Sequence, residues 1–194
     1  PFRTETFQNA QKELLRRLGV KGFPFVKVTE RKVVVDHAEK SVSATLWLDP
    51  GPRARFGSIR ITGLQFAKDA YVRQKVPFRE GDPFNTDLLE ETQKVLLGMG
   101  LFSTAAVSHG EHPDENGAVP VTIAVTERKR RSVGAGLSYR TDEGPGARFS
   151  WEDRNILGSG ERLWAAADVS DLTYSAEGGF RKPGFLRDDQ SLSL

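Results

Sequence analysis

The chain contains no cysteine. That removes disulfides, zinc-thiolate sites and thiol catalysis, while leaving the compartment open, because oxidising compartments also hold cysteine-free proteins. Charge of one sign is not in excess either. The 28 Lys and Arg stand against 26 Asp and Glu, a formal +2, too balanced to point to nucleic acid. No run approaches the ~20 apolar residues that a membrane-spanning helix needs. Walker sequences, a nucleophile elbow and a plausible triad are missing too, and carboxylate pairs such as Asp188-Asp189 are too ordinary to indicate acid/base catalysis. An enzyme is not expected. The hydrophobic share of 38% suffices for small cores and is low for a single large one. With Pro1 in first place and no positive-then-apolar leader, the chain is expected to be an internal piece of a longer polypeptide.

What is present is strongly patterned. From Pro83 to Phe102 the sequence predicts an amphipathic helix, with Leu88, Thr92, Val95, Leu96 and Met99 on one face. Asn85 or Thr86 can cap its start, Asp87, Glu90 and Glu91 suit the positive end of its dipole, and Gly98 and Gly100 mark its end. An altered copy opens the chain: Pro1, Phe2, Thr4, Gln11, Lys12, Leu14 and Leu15 match Pro83, Phe84, Thr86, Gln93, Lys94, Leu96 and Leu97. Phe7, Ala10, Leu14, Leu15 and Leu18 would form its apolar face. A repeat this long implies tandem small domains rather than a stacked solenoid.

After that first helix, Phe25 to Asp36 and Ser41 to Asp49 read as strands joined by a polar turn at His37-Ala-Glu-Lys40. Asp49-Pro50-Gly51-Pro52 can neither continue a sheet ladder nor enter a helix, and marks a junction. The next unit opens with a strand from Arg55 to Thr62, Ile59 and Ile61 facing one way. A short helix from Ala67 to Val76, the long helix, a strand from Phe102 to Ser108, a turn from His109 to Gly117 and a strand from Val119 to Thr126 follow. The order is strand, helix, helix, strand, strand. The first unit matches the last three of these elements. The divisions are therefore 1–51, a partial module lacking its first strand and helix; 52–128, a complete module; and 129–194.

Beyond Arg128 the helical period gives way to alternation. Val133, Ala135, Leu137 and Tyr139 alternate with Gly134, Gly136, Ser138 and Arg140. Runs around Ala147 to Trp151, Leu163 to Val169 and Leu172 to Phe180 do the same. Four such strands, rich in glycine and aromatics, have the texture of transmembrane barrel strands. A soluble antiparallel sheet with one wet face gives the same alternation.

Candidate chemistry is sparse. His109, His112, Asp114 and Glu115 carry metal-ligating groups, but they fall in a turn with no third ligand set on a rigid element, so solvated connection is the simpler reading. His37 is likewise a turn residue. The run Arg128-Lys129-Arg130-Arg131 is a solvated face, a phosphate contact or an interfacial position at a membrane. Without a recognition helix or stacking aromatics it does not mark a nucleic-acid site. Gly134-x-Gly136, Gly144-x-Gly146 and Gly158-x-Gly160 lack the strand-to-helix setting of a dinucleotide loop, and read as strand and turn glycines.

The succession Arg55-Phe-Gly-Ser-Ile-Arg-Ile-Thr-Gly63, Pro77-Phe-Arg-Glu-Gly-Asp-Pro-Phe84 and Gly98-Met-Gly-Leu-Phe102 resembles the POTRA module of the Omp85 superfamily. Val125-Thr-Glu-Arg128, Val133 to Gly144 and Trp151 to Gly160 resemble the passage from a last POTRA into the first strands of an outer-membrane barrel, and Lys182-Pro-Gly-Phe-Leu186 the segment after them. Within the superfamily the junction is most similar to translocation and assembly module proteins of the TamA type. The resemblance implies an α+β fold of POTRA modules followed by antiparallel strands of a truncated barrel, since four strands cannot close where such barrels start at about eight. It implies a bacterial outer-membrane location with the POTRA domains in the periplasm, and a role in inserting or translocating outer-membrane proteins, autotransporters among them. Unfolded clients, the lipid bilayer and a periplasmic or inner-membrane partner of the TamB kind are the implied partners; no cofactor, metal or nucleic acid is implied.

By the same resemblance, the docking edge would be Thr104, Ala105, Ala106, Val107 and Ser108, positioned by Gly100, Leu101 and Phe102. An edge strand offers main-chain groups that an extended peptide can satisfy with little sequence demand. Phe102 and Ile61 are more simply core residues. Val133, Ala135, Leu137 and Tyr139 would be the membrane-facing side of the first barrel strand, and unpaired strands should make the piece self-associate. Two other roles fit: a two-partner secretion translocase of the same fold, and a soluble surface-antigen or adhesion module.

Overall fold

The computed structural model describes residues 4–36, 41–142, 144–187 and 190–194. Pro1, Phe2, the His37 to Lys40 turn and the Asp188-Asp189 pair lie outside the described residues. In order come α1 (Thr4–Val20), β1 (Lys27–Asp36), β2 (Ser41–Asp49), β3 (Arg55–Thr62), α2 (Asp69–Gln74), α3 (Thr86–Gly98), β4 (Phe102–His109), β5 (Ala118–Glu127), β6 (Arg131–Arg140), β7 (Gly144–Asp153), β8 (Arg162–Ser170), β9 (Tyr174–Pro183) and β10 (Ser191–Ser193). They form a hairpin of β1 and β2, a three-stranded sheet ordered β3-β5-β4 and a five-stranded sheet ordered β10-β9-β8-β7-β6. The chain divides into two compact units. The first comprises Pro1–Arg60, Val76–Gln93 and Val107–Ile123, and the second Ile61–Lys75, Lys94–Ala106 and Ala124–Leu194.

The long helix begins where its cap predicts. The Asn85 side chain accepts the Asp87 N–H at 2.9 Å, satisfying one of the donors that a helix start leaves open. Its buried positions are Leu89, Thr92 and Leu96, with Leu88, Val95 and Met99 half-buried beside them. The packed face is thus turned slightly from the one expected, toward Leu89, which lies at its edge. Thr92 is tolerated there because its hydroxyl donates to the Leu88 carbonyl at 2.7 Å.

In the first unit, α1 lies against the start of α3. A Cβ on Gly19 would stand 2.7 Å from Thr86 Cγ2, a contact only glycine permits, and Arg16 pairs with Asp87 at 2.6 Å. Only part of α1 is covered. Phe7, Leu15 and Leu18 are half-buried, while Ala10 and Leu14, expected on the same face, are exposed. The core of this unit is an aromatic stack. Phe56 lies on Phe78 with centroids 3.9 Å apart and against Phe84 at 4.7 Å, and the His109 ring meets Phe84 edge-on at 5.5 Å and Phe25 at 6.0 Å. Such pairs add ~0.5–1.5 kcal/mol beyond their burial.

In the second unit the strands beyond Arg128 are all antiparallel neighbours. Their register sets Val133 beside Trp151 and Ala165, Ala135 beside Phe149, Ala167 and Ala176, and Leu137 beside Ala147, Val169 and Tyr174. Residues opposite one another share a face. That face is therefore banded with apolar side chains across four strands, and Val133 is 78% and Leu137 91% exposed on it. The other face carries Glu152, Arg148, Asp168 and Glu177, with Arg148 paired to Asp168 at 3.0 Å and to Glu177 at 2.9 Å. Four strands were expected here; the structure adds β10, three residues paired with the end of β9.

Candidate docking edge and apolar sheet face

The three-stranded sheet has β3 and β4 as its outer strands. The β3 side is covered by its own chain. Phe56 N–H donates to the Asp82 carbonyl at 2.9 Å, Gly81 N–H to the Phe56 carbonyl at 2.7 Å, Phe84 N–H to the Ala54 carbonyl at 3.2 Å, and Ile59 N–H to the Glu80 carboxylate at 3.3 Å. The Gly81-Asp82-Pro83 turn, read as a connection into the helix, thus also closes an edge. Covering an edge in this way is how sheets avoid unwanted pairing.

Thr104, Ala105, Ala106, Val107 and Ser108 all lie on β4, the opposite outer strand. Ala105 is buried, Val107 half-buried, and Thr104, Ala106 and Ser108 exposed. Phe102 and Leu101 are core residues, as is Val72 on α2. Val133, Ala135, Leu137 and Tyr139 share one exposed face of β6, which is itself the outer strand of the five-stranded sheet.

The basic run has internal partners. Arg128 donates its backbone N–H to the Leu101 carbonyl at 2.8 Å and its Nε to the Phe102 carbonyl at 2.9 Å. Arg130 and Arg131 each stand 3.1 Å from one oxygen of Asp153, whose side chain is 1% exposed, and Arg130 also lies over the Phe66 ring. A carboxylate so deeply buried is tolerable only when paired and hydrogen-bonded. Asp153 begins a loop that bonds to itself: it accepts Asn155 N–H, Asn155 accepts Gly160 N–H, and Glu161 accepts Ser159 N–H. Asp153, Asn155 and Glu161 are buried polar residues that pattern reading passed over.

Two close approaches tie this loop and β5 to the chain before α2. Gly63 has φ of 89°, and a Cβ there would lie 1.9 Å from the Val125 carbonyl oxygen. Lys68 N–H donates to the Gly158 carbonyl at 2.9 Å. Among the other paired glycines, Gly134, Gly136, Gly144 and Gly146 lie in β6 and β7 and Gly160 in the loop, so all read as strand and turn positions.

His109 Nδ1 is 2.8 Å from the Gly110 carbonyl oxygen, and Asp114 accepts the N–H groups of Asn116 and Ala118. These groups shape the turn. Among the described residues no cluster of three or more His, Asp or Glu could hold a metal, and no helix is long and apolar enough to cross a membrane.

Residues 54–128 match the family model "POTRA: Surface antigen variable number repeat". That stretch has the order of elements of a POTRA fold, strand, helix, helix, strand and strand. Across the chain, the outer membrane protein assembly factor BamA of Buchnera aphidicola is 29% identical over 129 residues, 66% of this chain and 21% of that protein. BamA of Neisseria meningitidis serogroup B is 26% identical over 184 residues, 93% of this chain and 22% of that protein. The chain therefore spans about a fifth of the length of these relatives. The crystal structure of Haemophilus ducreyi BamA lacking POTRA domains 1–3 superposes with a TM-score of 0.84 at 21% identity, covering 100% of this chain and 36% of that one. At that identity the likeness speaks for the fold. A POTRA repeat followed by antiparallel strands of a barrel start is thus the architecture. Haemophilus influenzae BamA POTRA3-5 matches 65% of this chain and 49% of its own at a TM-score of 0.57 and 26% identity. These similarities support the Omp85 superfamily, and the relatives named are outer membrane protein assembly factors.

Proposed function

We propose that this chain is part of an outer-membrane protein assembly factor, in which POTRA modules receive unfolded client chains in the periplasm and the strands from β6 onward belong to a barrel in the bacterial outer membrane. One observation carries the reading. Directly after a POTRA repeat, four strands carry apolar side chains in register across one face and charged groups on the other. A sheet facing water on both sides has no use for a band of Val133, Leu137, Phe149 and Tyr174, whereas lipid does.

Clients dock, on this reading, by adding a strand to β4 at Thr104 to Ser108. The Asp82 turn that covers β3 and leaves β4 as the other outer strand supports the choice of edge. The partial module of 1–51 belongs to a preceding POTRA, supported by its helix-strand-strand order. The narrower role, a TamA-type factor serving autotransporters with a TamB-like partner, is supported by the junction residues Val125 to Arg128 and Val133 to Gly160.

A photocrosslinking amino acid placed in turn at Thr104, Ala106 and Ser108 tests the edge, with an unfolded outer-membrane protein as the probe and Ser58 on β3 as the comparison site. Adducts are expected at the β4 positions and not at Ser58. Absence of client adducts from all three would overturn docking at β4.

A further inference from the structure

On the charged face of the barrel strands, within the second unit, lies a cleft of about 540 Å³ whose rim carries Lys75, Arg154, Arg162 and Arg181 against a single carboxylate, Glu152. Glu152 is already saturated. Arg154 holds one of its oxygens at 2.9 Å, Ser132 donates to the same one, and Arg162 holds the other. Arg181 makes no ion pair among the described residues, although the register sets it directly opposite Arg162 on the neighbouring strand. Like charges directly opposite across a sheet are destabilising. Two guanidinium groups held in that arrangement, with no carboxylate left to share, make a site for an anion.

The walls narrow down what the anion belongs to. Val95, Met99 and Pro183 line the cleft together with the Tyr71 ring, and a free phosphate would leave this apolar surface unused. A lipid headgroup would arrive from the other side of the sheet. Leu163 and Phe180, the neighbours of Arg162 and Arg181, belong to the apolar face, so the two arginines point away from it. A carboxylate on an extended polypeptide, with an apolar side chain next to it, matches both the charge and the walls, in a volume within the ~300–1,000 Å³ of ordinary ligand sites.

We propose that this cleft binds an acidic segment of an extended polypeptide, its carboxylate set between Arg162 and Arg181 and its apolar neighbour on the wall of Val95 and Met99. The site rests on the client-docking reading only for where such a peptide comes from. It is a second contact, separate from the β4 edge.

The test is fluorescence anisotropy of the whole 194-residue chain in detergent micelles, with a labelled peptide of alternating phenylalanine and glutamate and its glutamine twin. The glutamate peptide should bind roughly ten-fold more tightly at low salt, and the preference should shrink as salt is raised. Arg162→Gln with Arg181→Gln should abolish the preference, and Arg148→Gln should keep it. Arg181→Gln alone should weaken it while leaving the thermal midpoint level or higher, because it removes the like-charge pair; this separates lost binding from lost folding. Equal affinity for the two peptides, or a preference that survives the double substitution, would overturn the site. So would inorganic phosphate binding that needs both arginines in a chain that does not prefer the glutamate peptide. Because the photocrosslinks at β4 do not involve these arginines, failure of either experiment leaves the other standing.

Discussion

The Glu127 carboxylate, at the end of β5, accepts the backbone N–H of Ala67 at 2.9 Å. It also takes those of Gln65 at 2.8 Å and Phe66 at 3.1 Å. Three successive amides leading into α2 are thus gathered on one acidic side chain, which is the form of an anion nest closed by the protein itself. Glu127→Ala removes the acceptor for all three. Because Gln65 and Phe66 are exposed, water replaces part of what is lost, and the cost should be roughly 1–2 kcal/mol. Glu127→Gln keeps one carbonyl oxygen and should cost less. Urea unfolding of the three proteins in micelles checks the order; an unchanged midpoint for Glu127→Ala would show that the nest is incidental.

Helices and strands were legible here because their signals are local. β3 runs from Arg55 to Thr62 as expected, since alternation, the proline-rich stretch before it and Gly63 after it all lie within a few residues. The apolar bands of β6 to β9 were legible as alternation, and the register then aligned them. What escaped depends on distant partners. Ala10 and Leu14 are apolar, but α3 covers only one flank of α1. Asp153 reads as an ordinary acid until Arg131 on β6 and Arg130 just before it reach it. β10 is too short for any period to show. The cationic cleft draws its residues from α2, α3, β7, β8 and β9 and the segments that follow α2, α3 and β7, and no spacing in the sequence links them.

The exposed helix α1 should show a titration of its own. Hydrogen bonds from Arg16 and then Arg17 hold the Glu13 carboxyl far below its ordinary 4.5, at about 2. A depressed carboxylate contributes stability above its unfolded pKa and loses it as pH falls through the folded value, so the contribution should fade between about pH 4.5 and 2. The groups are open to solvent, so the effect is small and screened by salt. The side-chain carbonyl of Glu13, followed by NMR, should titrate near the low end of that window, and Arg16→Gln should move it back up. A midpoint in the ordinary range for the unsubstituted chain would remove the ion pairs from the account.

The apolar face of β6 to β9 makes the most consequential demand. Val133 and Leu137 are each worth roughly 1.5–3 kcal/mol on full removal from water, and they stand 78% and 91% exposed on β6, the outer strand of its sheet. In buffer this chain should therefore meet its own kind, pairing outer strands and covering the bands, whereas detergent micelles should cover the bands and disperse the chain. Leu137→Glu with Phe149→Glu places charge in the bands without touching the Arg148 ion pairs on the other face, and should shift the light-scattering mass in buffer toward the monomer. The double substitution should also weaken uptake into detergent, since the same bands serve both. A clean monomer of the unsubstituted chain at high concentration in buffer would mean that the bands are satisfied within the chain, and would return the sheet to the class of soluble folds with one wet face.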